Sequence, residues 1–153
     1  MLLVPTHVAP SAIQGIGLFS TGFVAAGTPV WKFQEGFDLA ISPATVASLP
    51  EVAAAHVWRY AYRDDATGHW ILGGDHTRFM NHDPRPNTGA LPGAIGPVVT
   101  VALRDIAAGE EITCDYHAFD GTAPEKVGPS PRAGSLDKTD SAQLPDCQHG
   151  ARP

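Results

Sequence analysis

Apolar and polar residues along this chain fall into short alternations and brief apolar runs, a pattern that predicts many small strands and little helix. Leu2 to Val8 is apolar and β-branched enough for a first strand. Gln14-Gly15-Ile16-Gly17-Leu18-Phe19-Ser20-Thr21 reads as a glycine turn running into a second. Phe23 to Trp31 reads as a turn at Gly27 followed by a third strand, and Phe37 to Ile41 as another short one. His69 to Leu72, Val98 to Leu103 and Glu111 to Tyr116 complete the predicted strands. Two short helices interrupt them. Ser42 is a good N-cap, Pro43 suits the first helical position, and Pro50 stops that helix near Leu49. The second runs from Glu51 to Tyr60: Ala53-Ala54-Ala55 favours helix, and Val52, His56 and Tyr60 share one face.

The pattern also repeats once. Val24-Ala25-Ala26-Gly27-Thr28-Pro29-Val30 and Ile106-Ala107-Ala108-Gly109-Glu110-Glu111-Ile112 both read apolar-Ala-Ala-Gly-x-x-apolar, and each predicts a tight turn feeding a strand. Short connections are common enough that two similar turns of independent origin account for the echo. Past Phe119 the pattern ends. Residues 121–153 hold five Pro and four Gly with almost no apolar periodicity, too little apolar surface to offset the entropy of ordering. The expectation is a folded domain over residues 1–120 and a Pro/Gly-rich, disordered tail over 121–153, whose first residues are placed to fold over a site.

Composition narrows the functions. The chain has 153 residues, 43% hydrophobic and 17% charged, as one globular domain should. Its net charge of −6 lies wholly in residues 1–120, with 6 Lys+Arg against 12 Asp+Glu; residues 121–153 hold four of each. An acidic folded part disfavours nucleic-acid phosphate and favours a basic partner, although solubility alone is also served. Cys114 and Cys147 follow no metal spacing and make no disulfide framework, and Cys114 reads as a small core residue. His76 and His82 lack helical ligand spacing, and no G-x-S-x-G elbow supports a serine triad, so no metal site or triad is expected. The apolar start Met1–Pro5 is too short for a signal peptide, and no run approaches the ~20 residues a membrane span needs. A soluble, cytoplasmic protein is the expectation.

Two segments about thirty residues apart carry the candidate chemistry: Arg78-Phe79-Met80-Asn81-His82-Asp83-Pro84-Arg85-Pro86-Asn87 and Gly109-Glu110-Glu111-Ile112-Thr113-Cys114-Asp115-Tyr116. In this order they resemble the two signature motifs of SET-domain protein lysine methyltransferases, R-F-x-N-H-x-x-x-P-N and G-E-E-[LI]-T-x-D-Y. Gly15-Ile16-Gly17-Leu18-Phe19 is similar to the family's G-x-G-[LV]-F segment; alone it would be only a turn, and it lacks the third glycine of a dinucleotide site. The resemblance covers most of residues 5–120. It is to short, single-domain, bacterial-type members without Cys-rich segments before or after the domain.

The resemblance implies a mainly β fold (β-clip), with several small twisted sheets around a knot-like crossing and one or two short helices. It implies S-adenosyl-L-methionine as cofactor and methyl transfer to a lysine side chain of a basic protein or peptide substrate. By the same resemblance Gly15, Ile16, Gly17, Leu18, Arg78, Phe79, Asn81, His82 and Tyr116 bind the cofactor, and Tyr116 is catalytic. Tyr60, Tyr62, Trp70 and Phe119 are candidates for the lysine channel, while Glu111, Asp115 and Asn87 order strands and loops. A free lysine has a pKa of roughly 10.4, and an apolar channel beside a sulfonium would disfavour its ammonium form.

The chain departs from the family at one point. Many members read N-H-S-C where this one reads Asn81-His82-Asp83-Pro84. In them that cysteine joins a Cys-rich C-terminal segment around zinc, which needs about four Cys or His ligands. With Pro84 in its place no zinc is expected, and Phe119 or the tail must close the channel. Two other readings stand beside the enzyme. One is a catalytically silent SET-like module that binds a basic peptide. The other is a β-rich small-ligand module, which leaves the paired motifs unexplained.

Overall fold

The computed structural model describes residues 1–90 and 99–130. Among these residues ten short strands and three α-helices appear in chain order: β1 (Thr6–Pro10), β2 (Ile16–Ser20), β3 (Pro29–Lys32), β4 (Leu39–Ile41), α1 (Pro43–Ser48), α2 (Glu51–Tyr60), β5 (Tyr62–Arg63), β6 (Trp70–Leu72), β7 (Asn81–His82), β8 (Thr88–Ala90), β9 (Val99–Ala102), β10 (Glu111–Cys114) and α3 (Ala123–Val127). They make three small sheets, ordered β1-β2-β10-β7, β3-β9-β8 and β4-β6-β5. Among the described residues no strand exceeds five residues, and the main core lies against the first two sheets. That core is Leu18, Val24, Val30, Met80, Ala102, Ile106, Ile112 and Cys114, with Tyr116 and Phe119 packed on its edge.

Local chemistry explains the elements the sequence predicts. Ser42 accepts from Thr45 N–H and Pro43 opens α1, as the capping pattern requires. α2 has the expected bounds but a different buried face. Val52 is 85% exposed and only Val57 is buried, because the helix packs through the small side of Ala53, Ala54 and Val57. The two echoed turns share a structural use. Gly27 and Gly109 hold φ of +81° and +79°, and Val24 and Ile106 exchange reciprocal backbone bonds of 2.9 and 2.8 Å. Each turn feeds a strand, β3 or β10.

Strands β5, β7 and β8 have two or three residues each and show no alternation to read. Tertiary bonds hold them instead. Asn87, 2% exposed, donates from Nδ2 to Glu111 O (2.7 Å) and Glu110 Oε1 (3.2 Å), and its Oδ1 accepts Thr113 N–H (2.8 Å). Asn87→Ala should orphan the Thr113 N–H and the Glu111 carbonyl. At about 1–3 kcal/mol for each buried orphan, the loss is about 2–6 kcal/mol, to be read as a lower urea midpoint at unchanged slope.

The chain continues in helix past the expected boundary at residue 120. Ala123 of α3 is fully buried, and the helix lies in the segment assigned from sequence to the tail. Residues 131–153, the rest of that expected tail, lie outside the described residues, as does Val98.

Candidate active site

The glycine turn, β7 and β10 meet at one carboxylate. Glu111 Oε1 accepts from Asn81 Nδ2 at 2.8 Å, and the Ser11 hydroxyl bonds Oε1 and Oε2 at 2.9 and 2.8 Å. Asn81 Nδ2 also reaches Gln14 O (3.1 Å) and Ile16 O (3.3 Å), so two amide protons are shared among three acceptors. Ser11 Oγ in turn accepts Ile13 N–H at 2.9 Å. Segments 11–17, 81 and 111 are thereby fixed to one another. Gly17 permits this approach, since a Cβ there would lie 2.3 Å from Glu111 Oε1 and 3.0 Å from Ser11 Cβ. Gly15 turns the chain at φ +52°, and nothing lies within 4 Å of where its Cβ would be. Ile16 between them is half exposed and Leu18 is in the core.

Tyr116 sits where the strand ends. Strand β10 pairs in parallel with β7 through Thr113↔Asn81 and Cys114↔His82, which brings the two motif segments side by side. Asp115 caps the 3-10 turn Tyr116–Ala118 by accepting His117 N–H. Tyr116 donates its hydroxyl proton to Met80 O at 2.8 Å and its backbone N–H to His82 Nδ1 at 3.2 Å. The second bond needs a lone pair on Nδ1, so neutral His82 carries its proton on Nε2. Asp115 Oδ1 lies 3.7 Å from the same nitrogen and is an ion-pair partner only if Nδ1 is protonated, an arrangement that excludes the bond from Tyr116 N–H. Burial, with Cys114 and Asp120 nearby, raises the Tyr116 hydroxyl well above its ordinary value.

An aromatic row runs from Tyr116. Phe119 stands edge-on to both Tyr116 (6.1 Å between centroids) and Tyr62 (5.0 Å), and His82 lies 5.5 Å from Tyr116 and 5.4 Å from His117. The Tyr62 hydroxyl is pushed up to about 12 by burial first and then by Asp64, Asp38 and Asp120. Both tyrosines are therefore neutral near pH 7. Beside Tyr62 opens a cleft of about 410 Å³ walled by Trp31, Phe33, Ala40 and Ile71, with Asp64 and His69 at its polar side.

Not all the sequence-derived candidates join this row. Tyr60 packs edge-on to Phe79 (5.8 Å) and against His56 (4.8 Å), on the side of the first motif. Arg78 donates from Nε to Asp75 O, and its terminal nitrogens have no partner among the described residues. Trp70 faces Lys126 instead of Tyr116. Conversely, sequence reasoning missed Met80, Ser11 and Asp120. Met80 acts through its carbonyl, which no side-chain pattern reports. Ser11 is 100 residues from Glu111. Asp120 gathers Arg63 N–H, Thr122 N–H, the Thr122 hydroxyl and Lys126. Burial alone would raise its carboxyl, but those bonds, led by Lys126, outweigh it and hold it below the ordinary range. Burial raises the Cys114 thiol, which is an inert core group. Among the described residues no three His, Cys, Asp or Glu side chains converge to hold a metal, and no helix is long and apolar enough to cross a membrane.

Known proteins give the arrangement a family. Two solved structures share the fold. One is a humanised mutant of the Chaetomium thermophilum Polycomb Repressive Complex 2, bound to an inhibitor: TM-score 0.55 at 19% identity, over 80% of this chain but only 16% of that one. The other is a Plasmodium falciparum protein assigned as a histone methyltransferase: TM-score 0.51 at 18% identity, over 75% of this chain and 95% of that one. No curated protein matches the chain in sequence. A family model described as the SET domain matches residues 15–117, from the glycine turn to the residue after Tyr116, and the chain belongs to that family.

Proposed function

We propose that this protein is an S-adenosylmethionine-dependent methyltransferase acting on a lysine side chain of a basic protein or peptide. The observation that carries the reading is the Tyr116 hydroxyl held on Met80 O, beside the Asn81–Glu111 clamp and walled by Phe119 and Tyr62. The donor set fits the cofactor. Half-exposed Ile16 at an open glycine turn offers an apolar face to a purine. The His82 Nε2 proton and the Arg78 terminal nitrogens, unpartnered among the described residues, offer donors to a ring nitrogen and a carboxylate. When bound, S-adenosylmethionine supplies an electrophilic methyl group on a sulfonium.

The chain's own residues then do three things. Tyr116 cannot serve as a base near neutral pH, because its hydroxyl stays protonated. Since that proton is directed at Met80 O, the oxygen lone pairs are left to accept from the substrate amine and orient it. The apolar walls of Phe119 and Tyr62 disfavour the ammonium form of the lysine and so favour its nucleophilic neutral form. The acidic surface of the folded part draws the basic substrate in.

Calorimetric titration with S-adenosylmethionine tests the reading, with Asn81→Ala as control. Saturable binding to the wild type, lost in the variant, together with label transfer from a methyl-labelled donor to lysine-rich peptides, is the expected result. Binding without transfer to any such peptide would favour the silent peptide-binding module. No binding at all would remove the cofactor from the proposal.

A further inference from the structure

Helix α3 is five residues long and has no side-chain cap, yet its Ala123 is fully buried. Propensity cannot hold so short a helix in place. Lys126 does. Its ammonium donates to Asp120 Oδ2 at 2.8 Å and to Ala61 O at 2.6 Å. The same nitrogen lies 5.7 Å from the Trp70 ring centroid and 5.9 Å from that of Trp58, within cation–π range of both. The Lys126 side chain is 10% exposed and that of Asp120 is 2% exposed. A carboxylate, a carbonyl and two indole rings have replaced the water around this charge.

The anchor reaches the transfer site through the chain itself. Asp120 also accepts Arg63 N–H at 3.0 Å, and Gly121 N–H donates to Arg63 O at 2.9 Å, so residues 120 and 121 are tied to β5. Phe119 is the residue before that tie, and Tyr62 is the residue before Arg63. One fixed corner therefore sets the spacing of Tyr62, Phe119 and Tyr116. Only its C-terminal side, Asp120 to Lys126, lies beyond residue 117, where the family match ends; Arg63, Ala61, Trp58 and Trp70 lie within it.

We propose that Lys126 is a positioning residue for methyl transfer: by locking the corner at Asp120 it fixes Phe119 between Tyr62 and Tyr116 and shapes the wall of the lysine channel. The proposal rests on the methyltransferase reading of the site. Lys126 touches neither the substrate nor the cofactor in this role.

Lys126→Met keeps the aliphatic stem and removes the charge, and Lys126→Arg keeps a cation. The assay is methyl transfer from a labelled donor to a lysine-rich histone-tail peptide, alongside cofactor affinity and amide hydrogen exchange. In Lys126→Met the turnover of peptide should fall about tenfold, as expected for a misplaced wall of a reacting site. Cofactor affinity should stay unchanged, and exchange should quicken at Asp120, Gly121 and Lys126. Lys126→Arg should restore most of the rate. Wild-type turnover in Lys126→Met would overturn the proposal. So would a parallel loss of cofactor binding, because the helix would then be supporting the domain as a whole. If the wild type transfers no methyl to the peptide, the methyltransferase reading fails by itself and exchange decides the anchor: quickening confined to residues 119–127 supports it, and unchanged protection overturns it.

Discussion

Tyr116→Phe is expected to lower the rate of methyl transfer by about 10²–10³-fold, the scale of losing one preorganised polar group at a reacting centre. The phenyl ring keeps the contacts with Phe119 and His82, so the walls of the site stay in place. What disappears is the hydroxyl that sits on Met80 O and that, on the proposed reading, orients the amine. Cofactor binding should survive, because the Asn81–Glu111 clamp does not involve that hydroxyl. Met80 is 8% exposed, and its carbonyl loses a donor, at a cost of about 1–3 kcal/mol. Single-turnover transfer from a labelled donor would separate the two effects. An unchanged rate would mean that Tyr116 does no more than pack.

Gly17→Ala is expected to damage both stability and cofactor affinity. The added methyl would lie 2.3 Å from Glu111 Oε1, an atom pinned by Ser11 and Asn81. A free glutamate would swing aside, but this one must give up its bonds to two neighbours. Hydrogen bonds to a charged group contribute about 1.5–3 kcal/mol each, so losing both costs about 3–6 kcal/mol. Gly15→Ala is the control. It meets nothing within 4 Å and bears only the strain of φ +52°, about 1–2 kcal/mol. Urea melts of the two variants should therefore separate clearly, with Gly17→Ala the weaker and unable to bind S-adenosylmethionine. Equal midpoints would show that Glu111 moves freely and that the clamp is soft.

Much of this architecture is legible because its causes are local. Ser42-Pro43 and Pro50 bound α1 by capping and sterics, and the Gly27 and Gly109 turns announce β3 and β10. The paired motifs mark Asn81, His82 and Tyr116 in the sequence itself. What stays hidden depends on distance along the chain. Strands β7 and β8 exist because β10 and β9 lie beside them, not because Asn81-His82 or Thr88-Gly89-Ala90 favours extension. Asn87 reads as a loop residue, and its role appears only when Thr113 is placed against it. α3 looks like polar tail, since most of the partners that hold Lys126 – Ala61 O, Trp58 and Trp70 – lie far upstream. The buried face of α2 was unreadable for a different reason: alanines pack more closely than the larger Val52 that the periodicity favours.

The bonds that make the site span 100 residues from Ser11 to Glu111, 30 from Asn81 to Glu111 and 36 from Met80 to Tyr116. None closes a hairpin, and the pairing of β7 with β10 is parallel and long-range, a slow kind of strand contact to form. During synthesis, the Asn81 and Ser11 bonds to Glu111 therefore wait for residue 111 and the Tyr116 bond to Met80 O for residue 116, while Asn81 can reach Gln14 O and Ile16 O earlier. A ligand that binds the site recognises only the finished domain, and its whole binding free energy acts against global unfolding.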